Sequence, residues 1–426
     1  MNLAAGDAGG EELVLQLLYQ LMLILVVTRI VVWLVRKLGQ TDVSGEILAG
    51  LILGPSLLGA LIPGLTEGLF TDETAPILNG LAQLGLVLLM FQIGLEFEFR
   101  DVIRNGKKTM FTVSAVGIAA PFTADFFTAP FFHRMLPEDN VPDLLGFRLF
   151  FAVALSITAI PILGRIFVEL GLTHSRTAAV VIGAASIEDI IGWLLLGAVS
   201  MIVVGGLDAW WIITHLAGLA GYIALLYFVV RPLLNRYLSN VLRRDARLGS
   251  TAIPVVLVVL FGSAAISSNL NVFAIIGGFL LGVALHDNRE FADQWRLRVS
   301  PLVYSLLLPI FFAYTGVRTD IGSLGDAQEF LILLLVLVIA FGTKLGGCYG
   351  AARLVGEPHR VASTIAVAMN TRALMGLVAL NIGMELGVVP PSMYTKLVLM
   401  AVVSTFVATP VIRHLTRSEQ RVTATI

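Results

Sequence analysis

The chain has 426 residues, of which 57% are hydrophobic and 13% charged, with a formal net charge of -1 and a mean hydropathy of +0.89. A soluble globular domain carries about 25% charged residues, so this composition excludes one and describes an all-α polytopic membrane protein. The charge balance gives no sign of a nucleic-acid partner, and Cys348, the only cysteine, excludes internal disulfides and cysteine-based metal sites.

A crossing helix needs about 20 apolar residues. On that measure the sequence predicts thirteen transmembrane helices, near 13–36, 43–61, 76–96, 109–132, 147–168, 177–204, 210–230, 250–268, 271–286, 300–317, 329–352, 360–385 and 391–413. Residues 1–12 hold Asp7, Glu11 and Glu12 but no Lys or Arg. A secretory signal would begin with a basic stretch, so the first hydrophobic run is expected to stay. The expected division is an extracytoplasmic tail over 1–12, the membrane transport domain over 13–413 and a short cytoplasmic tail over 414–426. No GxGxxG, P-loop or HExxH motif is present, so neither a nucleotide-driven pump, an enzyme nor a bound cofactor is expected.

Loop Lys and Arg set the orientation. With the N-terminus outside, the clusters at Arg36–Lys37, Arg100–Lys108, Arg231–Arg247, Arg289–Arg298 and Arg413–Arg421 all fall inside. Only Arg134, Arg148 and Arg318 fall outside, and the external loop 62–75 carries Glu67, Asp72 and Glu73 with no basic residue. The protein is thus expected in the inner or plasma membrane, N-terminus outside and C-terminus cytoplasmic.

Within the spans, Glu188 and Asp189 lie near the middle of an apolar run from Thr177 to Val204. Each charge there costs roughly 2.5–3.5 kcal/mol to insert. Such a pair belongs where a proton or a transported monovalent cation must bind. Adjacent helical positions differ by about 100°, so the two side chains face different neighbours. Lys344 lies about 12 Å from the inner end of its span, beyond easy snorkelling reach, and is expected in a buried ion pair. A lysine so placed can give up its proton as the carboxylate's occupancy changes. Arg372 is also deep, either held by backbone carbonyls or balancing charge. Arg29, Arg165 and Lys396 lie within two turns of helix ends and can snorkel.

Two spans read as interrupted. In Ser156-Ile157-Thr158-Ala159-Ile160-Pro161, Pro161 removes a backbone donor and breaks the helix. In the twelfth span, Asn370-Thr371-Arg372 places three polar residues about ten residues in. The fifth and twelfth spans cross in opposite directions. Two broken helices in opposed repeats point to a midplane transport site and predict inverted repeats of spans 1–6 and 8–13, joined by span 7. Weaker signals are Glu46 and Glu96, both expected at interfaces, and Asp125, toward the outer end of its span and not expected to take part. His133, His174, His286, His359 and His414 fall in loops or near span ends, and His215 reads as packing. Gly277-Gly278 and Gly346-Gly347 read as close helix contacts.

At these residues the chain resembles a bacterial member of the monovalent cation:proton antiporter 2 family over nearly its whole length. Gly45 to Pro55 resembles the family's second span, Leu84 to Glu96 its third, Ser156 to Arg165 its unwound crossing helix, and Leu308 to Phe312 with Gly316 its tenth span. Asn370-Thr371-Arg372 resembles the opening of the second crossing helix. The resemblance implies the sodium/proton antiporter fold, with a mobile core of spans 4–6 and 11–13, a dimerisation part of spans 1–3 and 8–10, and a homodimer serving pH homeostasis. It implies that Asp189 is the essential cation- and proton-binding aspartate, that Lys344 matches the lysine of electrogenic members, and that Thr158 offers oxygen to the ion. Two positions depart from the pattern. Glu188 stands where relatives carry Asn, Asp or Gln, and Gly376 where many carry Glu, so Glu188 stands in for a carboxylate lost from the opposite helix.

The expectation is therefore a secondary antiporter exchanging Na+ or K+ for H+ by alternating access. Asp189 is alternately loaded, Glu188 is the second carboxylate and partner of Lys344, and oxygens around Ser156, Thr158, Asn370 and Thr371 complete the shell. The alternatives are an organic-anion transporter on a related inverted-repeat fold, and a channel-like ion sensor.

Overall fold

A computed structural model describes residues 4–62, 68–71, 73–95, 107–136, 141–158, 163–164, 166–167, 170, 172, 175–205, 209–245, 249, 251–270 and 273–416. Pro161, Arg165, Glu96 and His174 lie outside these. Among the described residues the structure is helical, without β-strand. The helices are α1 (Ala4–Lys37), α2 (Asp42–Leu53), α3 (Ala75–Leu95), α4 (Lys107–His133), α5 (Leu144–Ser156), α6 (Arg176–Gly205), α7 (Ala209–Leu225), α8 (Arg231–Asp245), α9 (Ala252–Asn269) and α10 (Ala274–Leu285). They are followed by α11 (Arg289–Arg298), α12 (Ser300–Val317, with a π-helical stretch at Val303–Leu307), α13 (Ala327–Leu354), α14 (His359–Met369), α15 (Ala373–Glu385) and α16 (Pro391–Leu415).

Every predicted segment contains helix. Ten stretches are long and apolar enough to cross a membrane, while α5 and α10 are shorter apolar helices of 13 and 12 residues. Two boundaries differ from expectation. The seventh segment does not stop at 230 but passes through a π-helical turn at Leu226–Val230 into α8. That extension alternates Arg and Asn with Leu, too polar to read as a crossing but well formed as an amphipathic helix. For the same reason α11 was invisible to a hydropathy count. It buries Phe291 and Trp295, one turn apart.

The chain divides into two compact units. The first comprises Met1–Leu25, Gly68–Glu98 and Gly197–Tyr314. Here α3 and α10 approach until backbone meets backbone: a Cβ on Gly94 would overlap the Phe279 carbonyl, and one on Gly282 the Phe91 carbonyl. Small residues permit this contact in a bilayer, where dispersion rather than water expulsion holds helices together. Gly277 packs likewise on Ser263, whose hydroxyl donates to the Gly277 carbonyl at 2.8 Å and accepts from Tyr222 at 2.5 Å. Trp295 meets Phe91 edge-on at 4.8 Å.

The second unit comprises Val26–Glu67, Phe99–Leu196 and Thr315–Ile426. Val31 and Val35 of α1 bury against Ala49 of α2. The end of α2 crosses the end of α12 at glycine: a Cβ on Gly316 would overlap the Gly50 carbonyl. Both atoms belong to backbone and neither can rotate away. Gly316→Ala should therefore destabilise by at least the 1–3 kcal/mol typical of overpacking, read as a lower melting temperature of the detergent-purified protein. A variant that melts with the wild type would show that the crossing is loose.

Of the residues expected to snorkel, Arg29 is exposed, Arg165 lies outside the described residues and Lys396 turns inward. Lys396 is buried rather than snorkelling; it pairs with Glu329 at the start of α13 and donates to the Ser392 carbonyl at 2.9 Å. A partner within reach makes the journey to the interface unnecessary. Glu46, expected at an interface, is 7% exposed. Of the glycine pairs, Gly347 packs on Ala120 but Gly346 meets nothing, because consecutive helical positions face different ways.

Candidate functional site

Four elements of the second unit converge on one lysine. α5 begins at Asp143, whose carboxylate accepts from the Gly146 amide at 2.9 Å, and ends at Ser156, where Ile157 turns extended (φ -83°, ψ 142°). Its last carbonyls therefore have no next turn to accept from. α14 ends at Met369; Asn370 (φ -85°, ψ 2°) and Thr371 leave the helix, and α15 restarts at Ala373. The interruption expected in the twelfth span is thus present as two half-helices. In the fifth, helix stops at Ser156, and Pro161 lies outside the described residues.

Lys344, on α13, is fully buried. Its ammonium donates to the Glu188 Oε2 at 2.8 Å, the Ser156 carbonyl at 2.6 Å and the Gly117 carbonyl at 2.8 Å. An ammonium has three hydrogens, and all three are used. The Thr158 hydroxyl is 2.6 Å from both Glu188 Oε2 and the Met369 carbonyl. Glu188 is fully buried, and its Oε1 lies against Gly117, where a Cβ would overlap it. Two charges at 0% exposure persist only when paired and hydrogen-bonded, and this pair is both.

Sequence reading singled out Glu188, Lys344, Thr158 and Ser156, and the structure brings them together, with Ser156 contributing its carbonyl. The Ser156 hydroxyl donates back to Val153 at 3.0 Å, and the Thr371 hydroxyl to Ala368; both close their own helix ends. Asn370 is buried with its Oδ1 lacking a donor among the described residues. Asp189 is also fully buried, one position on from Glu188 along α6. Arg372 is not in this cluster. Its Nη2 donates to the Ala340 carbonyl at 2.6 Å, one turn before Lys344, and its Nη1 faces Met400 Sδ at 3.9 Å. Gly117 and Met369 were missed. They serve through backbone carbonyls, which carry no side-chain signature; for Gly117 the only clue is a glycine in mid-span.

The donors gathered here are ones that could hold a cation. The helix ends facing it, at Ser156 and Met369, present carbonyls, the negative pole of the helix. Buried carboxylates, carbonyls and an amide oxygen are hard oxygen donors.

A family model described as sodium/hydrogen exchanger, transmembrane, matches residues 22–418. Among curated relatives, a Na(+)/H(+) antiporter, NhaS4, of Synechocystis is 32% identical over 93% of this chain and 96% of its own length. Cation/H(+) antiporter 20 of Arabidopsis thaliana is 32% identical over 93% of this chain, and Na(+)/H(+)-K(+) antiporter GerN of Bacillus cereus is 24% identical over 93%. The chain spans 95% of GerN but about half of the Arabidopsis relative, 48%. Among solved structures, the sodium proton antiporter MjNhaP1 of Methanocaldococcus jannaschii superposes with a TM-score of 0.68 at 18% identity, covering 96% of this chain and 97% of that one. That likeness carries the fold.

Proposed function

This chain belongs to the sodium/hydrogen exchanger family, and on that premise we propose that it exchanges Na+ or K+ for protons with Asp189 as the carboxylate for which the two compete. It is a multi-pass membrane protein of a transporter family, and a monovalent cation and the proton are its substrates. The observation that carries the site assignment is the fully buried Lys344–Glu188 pair, held between the ends of two broken helices. Asp189, fully buried one position on from Glu188 along α6, is the carboxylate we assign to the cargo. Thr158, Asn370 and the carbonyls of the broken helices supply further oxygens.

The exchange follows from charge. An empty Asp189 is an anion in apolar surroundings, costly to carry across. A proton or a metal cation neutralises it, and one carboxylate cannot hold both. The loaded carrier crosses; the empty one stays. Lys344 and Glu188 form a second ionisable couple beside the cargo; when Lys344 releases its proton as the cation loads and regains it as the cation leaves, two protons move against one monovalent cation, and on that count we read the exchange as electrogenic. The proposal extends to a homodimer formed through spans 1–3 and 8–10, in the plasma or inner membrane with its C-terminus in the cytoplasm.

An organic-anion carrier would aim helix N-termini at its substrate. Here the helix ends at the cluster are C-terminal, and the relatives described above are cation/proton antiporters, so that alternative has no support.

The test is purified protein in proteoliposomes with a pH-sensitive dye and a panel of Li+, Na+, K+ and Rb+. Proton release should follow addition of Na+ or K+. Because the proton competes for the same oxygens, the apparent cation affinity should weaken by up to about tenfold per pH unit on the acid side. An affinity independent of pH would separate the two sites and end the competition model. On a supported membrane, cation jumps should also produce transient currents; electroneutral flux would remove the electrogenic part alone.

A further inference from the structure

A second buried acid lies outside the Lys344 cluster. Asp125, on α4, is 0% exposed, and neither carboxylate oxygen has a hydrogen-bond donor among the described residues. α4 and α13 pack antiparallel: Gly117 meets Cys348, and Ala120 meets Gly347. That register, carried on from Gly117 about 12 Å along the helix, sets Asp125 beside the turn that contains Ala340. Ala340 is where Arg372 is seated.

Arg372 is poorly satisfied there. It is fully buried, and among the described residues its Nε has no partner and Nη1 reaches only the Met400 sulfur. It also stands at the N-cap position of α15 without a side-chain capping bond, beside the positive pole of that helix. Ala340 and Lys344 are one turn apart on α13, so the register that sets Asp125 beside Ala340 sets it near both Arg372 and Lys344. α5, also packed on α4, presents Arg148, which is committed to Phe126: its Nε donates to that carbonyl at 3.1 Å and its guanidinium covers the ring at 3.9 Å. The Thr128 hydroxyl donates to the Asp125 carbonyl at 3.3 Å, not to its carboxylate. The acid therefore stands in the field of two buried cations with a hydrogen bond from neither.

We propose that Asp125 is a second proton-binding site of this carrier, holding a proton while Arg372 is seated on Ala340 and releasing it when the guanidinium moves onto the carboxylate. The step is a simple dissociation, carboxylic acid to carboxylate plus H+, with Arg372 charged throughout. A proton suits the site because it needs one oxygen. A metal cation needs several at once, and the nearby Thr128 hydroxyl is spent on a backbone carbonyl. The proposal rests on the packing of α4 and α13 and the seat of Arg372, not on the role of Asp189.

Infrared difference spectroscopy between acid and alkaline pH, on the purified full chain, tests it without transport. The wild type should show a protonated-carboxyl band that is lost in Asp125→Asn, displaced in Asp125→Glu and retained in Asp189→Asn. A wild-type spectrum in Asp125→Asn overturns the proposal. Should that variant fail to fold, an undisplaced band in Asp125→Glu overturns it equally. In proteoliposomes, the pH of half-maximal Na+- or K+-driven proton release should shift in Asp125→Asn; a profile superimposable on the wild type also overturns it. Failure of the Asp189 assignment would leave the infrared result standing.

Discussion

Asp189→Asn should reduce cation-dependent proton release to the level of empty vesicles. The amide keeps the shape of the side chain and an oxygen donor but carries no charge, so it neither neutralises a metal cation nor binds a proton. Glu188 is not expected to take over, because its charge is already paired with Lys344 and its Oε1 is packed against Gly117. The two positions, about 100° apart on α6, face different surroundings. The variant should still purify as a monodisperse protein, since the Lys344–Glu188 pair is untouched. The measurement is dye-reported exchange in proteoliposomes at several pH values. Wild-type exchange in a folded Asp189→Asn protein would discard the site.

Lys344→Met should destabilise the folded protein by about 3–5 kcal/mol, the cost of leaving a buried charge without its partner. The loss is threefold in contacts: the Glu188 carboxylate and the carbonyls of Gly117 and Ser156 all lose their donor. Because the penalty lies mainly in the stranded carboxylate, adding Glu188→Gln should recover most of it. A double-mutant cycle read by thermal unfolding isolates that coupling. If the double variant is no more stable than Lys344→Met alone, the two residues do not compensate each other in the folded state. The Gly117 and Ser156 carbonyls would then be the contacts that matter.

How far the site was legible depends on the kind of group involved. The depth of Lys344, the adjacency of Glu188 and Asp189, and the break at Asn370 are one-dimensional facts about polar residues in apolar runs. Any such residue is expensive in a bilayer, so each announces itself. Helix α11 and the extension α8 escaped because they are amphipathic and too polar for a hydropathy count. Lys396 was expected at the interface on distance alone, yet Glu329 was close enough to hold it inside. The same distance argument set Asp125 aside; its setting came into view only when α4 was laid against α13.

The residue order alone determined that the chain lives in a membrane, where its apolar helices run and which buried charges had to be satisfied. Those outcomes follow from the cost of putting polar groups into hydrocarbon, a cost paid residue by residue. Which carbonyls meet Lys344, that Arg372 is seated on Ala340 instead of joining the Glu188 pair, and that Gly316 must lack a side chain were decided only by tertiary packing. They depend on the rotation and register of one helix against another, and a backbone carbonyl looks the same at every position until a neighbour is brought beside it.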